Sequence, residues 1–233
     1  MSLPLSIGKN SLNQLIMVDV CSLPHLFVAY SYDEQLPTFL KHCITTINQA
    51  NDIGSAITIA LALGNRNSFL LDEISCPIAF AFVPDCTNEI TNQSANKDAF
   101  IKQLFTEMKG RIKQLKQNIK KARSSPLLIV IIDELFRVIL SDKKQTGIYF
   151  LQLLILGKEV GIHFIAASTS TYRSLLPQLM NMHPEVEKQL TQKQLTKNCI
   201  INKPLCAELV ITLDDLVFYK SMNMQIHERF FCI

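Results

Sequence analysis

The sequence predicts an α/β fold in a single domain spanning residues 1–233, with a mainly parallel central sheet flanked by helices. Three observations carry this expectation. Short apolar stretches alternate along the chain with amphipathic helical ones, the pattern of strands joined by crossover helices. One stretch, Leu128-Ile129-Val130-Ile131-Ile132, is apolar at every position, as a strand covered on both faces must be. The chain has 233 residues, 48% of them hydrophobic, which is material enough for one sizeable core.

Taken in order, residues 15–18 read as an early strand and Pro24-His25-Leu26-Phe27-Val28-Ala29 as a second. A helix is expected over 36–50, where Leu36, Leu40, Cys43, Ile44 and Ile47 recur at helical spacing and give one buried stripe. Pro37 suits its first turn, where a missing N–H costs nothing. Residues 56–63 are almost continuously apolar and read as a strand that stops at Gly64; 77–83 is a shorter candidate. The polar run 87–97 reads as a loop leading into the longest helix, 96–123. In that helix Ile101, Phe105, Met108, Ile112, Leu115 and Ile119 step by 4, 3, 4, 3 and 4, a seam of coiled-coil type. Gly110 weakens the helix by about 1 kcal/mol relative to alanine. After the strand that ends at Ile132, a helix over 145–160 and a strand over 161–167 follow, and 214–219 with 226–233 read as a closing hairpin.

Composition removes several classes. The apolar runs, 126–132 among them, are all far short of the about 20 residues a membrane helix needs, and no charged start with an apolar signal segment is present. The mean hydropathy of +0.19 points away from disorder. Seven cysteines, odd in number and without a C-x-x-C pair, read as reduced core residues in a cytoplasmic protein, and the five scattered histidines offer no metal-ligand spacing. No metal site is expected. The net charge of +3 hides an asymmetry: 102–123 holds Lys102, Lys109, Arg111, Lys113, Lys116, Lys120, Lys121 and Arg123 against one acid, Glu107. The rest of the chain is therefore slightly acidic. A long surface helix with its lysines in water accounts for this run; a nucleic-acid contact through Lys109, Lys113, Lys116 and Lys120 is the sharper reading.

The strand that ends in Asp133-Glu134 carries the chemistry. In a nucleotide-hydrolysing α/β protein the first acid at this place holds Mg²⁺ and the second polarises the attacking water. The phosphate loop that such a pair serves, G-x-x-x-x-G-K-[ST], occurs nowhere in the chain.

Four segments in order resemble the motor domain of the FtsK/SpoIIIE DNA translocases, within the HerA-type group of RecA-like P-loop ATPases. They are Pro4-Leu5-Ser6-Ile7-Gly8-Lys9, Pro24-His25-Leu26-Phe27-Val28-Ala29, Ile131-Ile132-Asp133-Glu134 and Gly161-Ile162-His163-Phe164. Glu107-Met108-Lys109-Gly110-Arg111 resembles the family's E-M-x-x-R helix. The likeness runs over nearly the whole chain. It implies a RecA-like P-loop fold, Asp133 and Glu134 as the Mg²⁺ and water-activating acids, and assembly into a ring. It also implies that the chain is the motor domain excised from something larger, without the winged helix or membrane anchor.

The departures matter more. Where the family has G-x-x-G-S-G-K-S, this chain has Tyr30-Ser31-Tyr32-Asp33-Glu34-Gln35-Leu36-Pro37. Leu36 stands in place of the phosphate-clamping lysine and Pro37 in place of the Mg²⁺-binding hydroxyl. Glycines let backbone N–H groups turn inward as an anion nest, which Tyr30 and Ser31 disfavour. Asp33 and Glu34 put carboxylates at the helix start, where they satisfy its free amides and repel a triphosphate. After the last core strand, Ser168 and its neighbours keep small hydroxyls but lose the family's glutamine and arginine. Charged hydrogen bonds are worth about 1.5–3 kcal/mol each. Losing the lysine, the hydroxyl and two nest amides thus removes over roughly 6 kcal/mol, which takes a micromolar ligand to weaker than about 10 mM.

The expectation is a pseudo-ATPase without cofactor that acts as a binding or assembly subunit, its Asp133 and Glu134 inherited and Asp133 bonded to the altered loop. Its partners would be a homo- or hetero-oligomeric ring with related ATPases, and DNA, with no direct membrane insertion. Two alternatives stand beside it: an active translocase that uses Mg-ATP through an unorthodox loop, and a nucleic-acid-binding module that works without ATP.

Overall fold

The computed structural model describes residues 3–10, 14–23, 25–30, 35–50, 56–61, 90–117, 125–139, 144–169, 207–211, 216–221 and 224–231. Among these, nine strands form one sheet in the order β2-β1-β9-β8-β7-β3-β6-β5-β4. The parallel part is β7 (Ala207–Ile211), β3 (Leu26–Tyr30), β6 (Ile162–Ser168), β5 (Leu127–Ile132) and β4 (Ala56–Leu61). Antiparallel neighbours extend it on one side: β8 (Leu216–Ser221), β9 (Met224–Phe231), β1 (Pro4–Asn10) and β2 (Leu15–Asp19).

Helices cover both faces, and alternate residues of the strands sort the core into two clusters. On one face Leu128, Val130 and Ile132 of β5 and Phe164 of β6 pack under three helices: α2 (Ile90–Gln117), α3 (Leu135–Ile139) and α4 (Lys144–Leu156). On the other face Ile129 and Ile131 of β5 join Val28 and Ile165 beneath α1 (Gln35–Ala50) and the β1–β2 hairpin. Every residue of β3 and β6 is buried, as is every residue of β5 after Leu127, so the reading of 128–132 as a strand covered on both faces holds.

The helix of α2 differs from its expected seam. Phe100, Ile101, Leu104, Phe105 and Met108 are all buried in the core, with Ile112 packed at its margin. That stripe is wider than a two-residue coiled-coil seam and lies against the sheet and α4, where Phe105 stacks on Tyr149 with ring centroids 4.2 Å apart. The helix starts earlier than expected, at Ile90, and its described part ends at Gln117. The candidate strand 77–83, the loop segment 87–89 and residues 118–123 lie outside the described residues. The closing hairpin is present as β8 and β9. Strands β1 and β7 and the short α3 were not foreseen as elements; each is seven residues or shorter and gives little periodicity to read.

Two tethers fix the amino ends of the parallel strands. The Arg111 side chain is buried, and its Nη1 donates to the carbonyls of Pro126 at 2.8 Å and Val160 at 3.1 Å, while Nε donates to Glu107 at 2.8 Å. It therefore joins α2 to the entries of both β5 and β6. This corrects the basic face expected on α2: Arg111 points into the fold, not into solvent, because three acceptors meet it there. Gly161 beside it has φ 73° and closes the turn before β6; a Cβ there would sit 3.1 Å from Leu127, so glycine is required. The second tether is His25, whose Nδ1 accepts the N–H of Phe164 at 3.2 Å and whose Nε2 lies 2.9 Å from the Leu154 carbonyl. The ring is fully buried, and burial, with His163 and Lys158 nearby, lowers its pKa to about 3. It is neutral, with its proton on Nε2.

Candidate functional site at the carboxyl ends of the parallel strands

In an open α/β sheet, ligands bind beyond the carboxyl ends of the strands, where the strand order reverses. Here that point lies around β3 and β6: the chain leaves β3 for β4 at the far edge and returns through β5 and β6 to β7 on the other side. Ala29 pairs with Ser168, and Ile132 with Ala166. The ends of β3, β6 and β5 therefore bring Tyr30, Ser168 and Asp133-Glu134 to one rim. These are four of the residues singled out in the sequence, and their convergence follows from the parallel registers.

Glu134 is the hub. It lies one residue beyond the end of β5 and immediately before the first residue of α3, and its Oε1 accepts the N–H of Phe136 at 3.3 Å, capping that short helix. Its Oε2 accepts the hydroxyl of Tyr30 at 3.0 Å. This second bond reaches across the width of β6, which lies between β3 and β5. Burial raises the carboxyl's pKa above its ordinary 4.5; the Tyr30 hydroxyl and the Phe136 amide pull it back part of the way, and Asp133 beside it pushes it up. Asp133 is buried at 1% exposure, and Ser168 at 2%. The Tyr30 hydroxyl thus reaches the second acid, a contact the sequence did not point to.

Leu36, the second residue of α1, is 2% exposed and packs in the same apolar cluster as Tyr30, Phe39, Leu40 and Ile131. The position that the resemblance sets against the phosphate-clamping lysine is thus a core residue. Pro37 is partly buried in the first turn of α1. Ser31, Asp33 and Glu34 lie outside the described residues, as does Lys120. Lys109, Lys113 and Lys116 are exposed on α2, with Lys109 resting 4.8 Å from the Phe105 ring centroid. They do not join the rim.

Two polar contacts near the same end went unforeseen. Lys97, near the start of α2, is buried and its Nζ donates to the Arg137 carbonyl of α3 at 2.7 Å; next to it Asp98 accepts the Thr146 hydroxyl of α4 at 2.7 Å. The segment read as loop running into helix gave no sign of this, because a lysine and an aspartate beside a polar run look like solvent-facing residues. Among the described residues no group of three or more metal-ligating side chains occurs. No helix among them is long and apolar enough to cross a membrane.

No protein-family model and no curated protein sequence matches the chain. Solved structures do. ATPase domains 2 and 3 of Thermomonospora curvata EccC, determined with a signal sequence peptide, match at a TM-score of 0.67 and 14% identity over 99% of this chain and 41% of that one. The cytoplasmic domain of EssC matches at 0.64 and 8% identity over 100% of this chain and 44% of that one. The pCW3 conjugation coupling protein TcpA, in a monomer form with ATPγS, matches at 0.58 and 12% identity over 99% and 67%. The chain spans less than half the length of the EccC and EssC structures it matches. Identities this low speak to fold alone. On that ground the chain has the RecA-like fold of P-loop ATPase domains, as the sequence led one to expect.

Proposed function

We propose that this domain is a pseudo-ATPase of the FtsK/SpoIIIE type, serving as a binding or assembly subunit of a complex that moves DNA or protein. The observation that supports this most is the burial of Leu36 in the core at the start of α1. A lysine grips β- and γ-phosphates only from a loop whose backbone wraps them, and here the side chain at that place serves packing. The Tyr30–Glu134 bond adds to it: the acid that would polarise water is held by the tyrosine that ends β3 and an α3 amide. A carboxylate has about four acceptor sites, so Glu134 keeps some capacity, but its orientation is set by these two donors. The solved neighbours, which include a type VII secretion ATPase and a conjugation coupling protein, make a translocation complex the natural setting.

Titration calorimetry with Mg·ATP tests this reading. The expected result is no saturable binding below about 10 mM, the weakening that losing roughly 6 kcal/mol of phosphate contacts implies. Sub-millimolar binding abolished by Asp133→Ala would instead establish the active-translocase reading.

A second reading has its own observation. Lys102, Lys109, Lys113 and Lys116 are all exposed, and at 100° per residue they fall on one face of α2, along about 21 Å of helix. The acid of that segment, Glu107, is engaged by Arg111. Among the described residues the four lysines make no ion pair. Such a stripe suits a phosphate backbone. With four contacts, log K for duplex DNA should fall with log salt at a slope near −3.6, and Lys109→Gln with Lys113→Gln should cut it by about half. A salt-independent signal, or none, leaves α2 a solvated helix.

A further inference from the structure

Among the residues whose burial is described, just two large hydrophobic side chains are exposed, Leu15 at 56% and Met17 at 48%. Both belong to β2, and being two apart they share one face of the strand. Among the same residues β2 ends the sheet: it pairs with β1 on one side and with nothing on the other. An edge of this kind offers unpaired N–H and C=O groups, and proteins ordinarily guard it with lysine, proline, an inward charge or a covering segment. The strand Leu15-Ile16-Met17-Val18-Asp19 contains no lysine and no proline. Its one charge, Asp19, is turned back: Oδ1 accepts the N–H of Leu3 at 2.9 Å and of Cys21 at 3.0 Å. The irregularity in the β1–β2 ladder falls between Ser6 and Gly8 on β1, and β2 itself is unbroken.

We infer that β2 is a pairing surface for the β2 of a second copy of this chain, making a two-fold dimer with a sheet continuous across the axis. The register argues for this occupant. Antiparallel pairing centred on Ile16 sets Leu15 against the second copy's Met17 and Met17 against its Leu15. All four exposed apolar side chains are then covered in two cross-strand pairs on the same face. A pairing centred on Met17 would instead set Leu15 against Asp19, so one register is favoured over its neighbour. A two-fold contact of this kind is closed and buries the edge without propagating into a fibre. The inference goes beyond the nucleotide question, since a domain that bound ATP would carry the same edge.

The test is sedimentation equilibrium on the whole chain, followed by directed cross-linking. The wild type should show a monomer–dimer equilibrium, and Leu15→Lys with Met17→Lys should weaken it by about 100-fold or more, since like charges then face each other across the strands. Circular dichroism of that variant should match the wild type, because both side chains are exposed. Mixing a Leu15→Cys chain with a Met17→Cys chain should give a linked peptide joining position 15 to position 17, identified by mass spectrometry, while each variant alone gives little. A monomer at every concentration, a dimer indifferent to the lysines, or preferential linkage of position 17 to itself would overturn the proposal. Capture of a strand from a different protein by an otherwise monomeric chain would overturn it equally.

Discussion

The two ends of the parallel strands have opposite characters. At the amino ends the side chains that carry the family resemblance are bonded for structure: His25 ties β3 to β6 and α4, and Arg111 ties α2 to the starts of β5 and β6. Gly161 takes the backbone angle that its turn demands. At the carboxyl ends, where a ligand would sit, Leu36 is core and Glu134 is capped by Tyr30 and Phe136. The likeness to a motor domain therefore lives mostly in what builds the sheet. The residues that hold the sheet together and those that would meet a ligand stand at opposite ends of the same strands, so one set can change while the other is kept.

Acid should strain the amino end most. His25 is neutral in the folded protein, with a pKa lowered to about 3 from 6.5. The unfolded chain therefore binds a proton that the folded chain refuses as the pH drops below 6.5. Stability from this group is complete above that value and is lost on the way down to about 3, at up to about 1.4 kcal/mol per pH unit. Urea midpoints measured across this range should show the slope, and His25→Gln should flatten it. If the slope is unchanged in the variant, the ring is not the tether described above.

Arg111→Met should cost somewhat less, about 3 kcal/mol, by leaving two partly buried carbonyls without their charged donor. Glu107→Gln is the control. Glu107 is 52% exposed, so its loss should cost less than about 1 kcal/mol. Equal losses in the two variants would move the weight of the clamp from the carbonyls to the ion pair.

How much of this was legible beforehand differs between the ends for physical reasons. The uniformly apolar run of β5 and the alternation of elements gave the parallel sheet, because period and burial are local properties of a sequence. The order of strands then brings Tyr30, Ser168 and the two acids together, a consequence of register that the spacing of motifs already implied. What was not legible is pairwise. A buried lysine cannot be told from a solvated one in a sequence, so Lys97 went unremarked and Arg111 was counted with the basic face. Nor does a string of residues say that a tyrosine at the end of β3 will reach Glu134 across the intervening β6.

Leu36 is the sharper test of the carboxyl end. In the core it contributes packing, and Leu36→Ala should cost about 2–3 kcal/mol, the usual result for a buried leucine. Were it a loop residue facing a ligand cavity, the cost would be under about 0.5 kcal/mol. Thermal or urea denaturation separates these outcomes. Leu36→Lys should lower stability as well, without Mg·ATP restoring it, since an ammonium placed there is desolvated before it meets any phosphate.

The smallest expected effect tells most about Glu134. Tyr30→Phe removes one hydrogen bond to a half-buried carboxylate and should cost about 1 kcal/mol. Its pH dependence has the opposite sign to that of His25. The carboxyl's pKa is raised by burial above 4.5, so the folded protein holds its proton more tightly than the unfolded chain. The stability this gives is present below 4.5 and is lost as the pH rises through the higher folded value. Tyr30→Phe takes away a donor that favours the ionised form, which should raise the carboxyl's pKa further and extend that loss to higher pH. Glu134→Gln, neutral at every pH, should remove it, so that wild type and variant diverge on going from acid to neutral. A carboxyl that titrates near its ordinary value in both backgrounds would mean that water reaches it freely, and that the rim is open enough to admit a ligand after all.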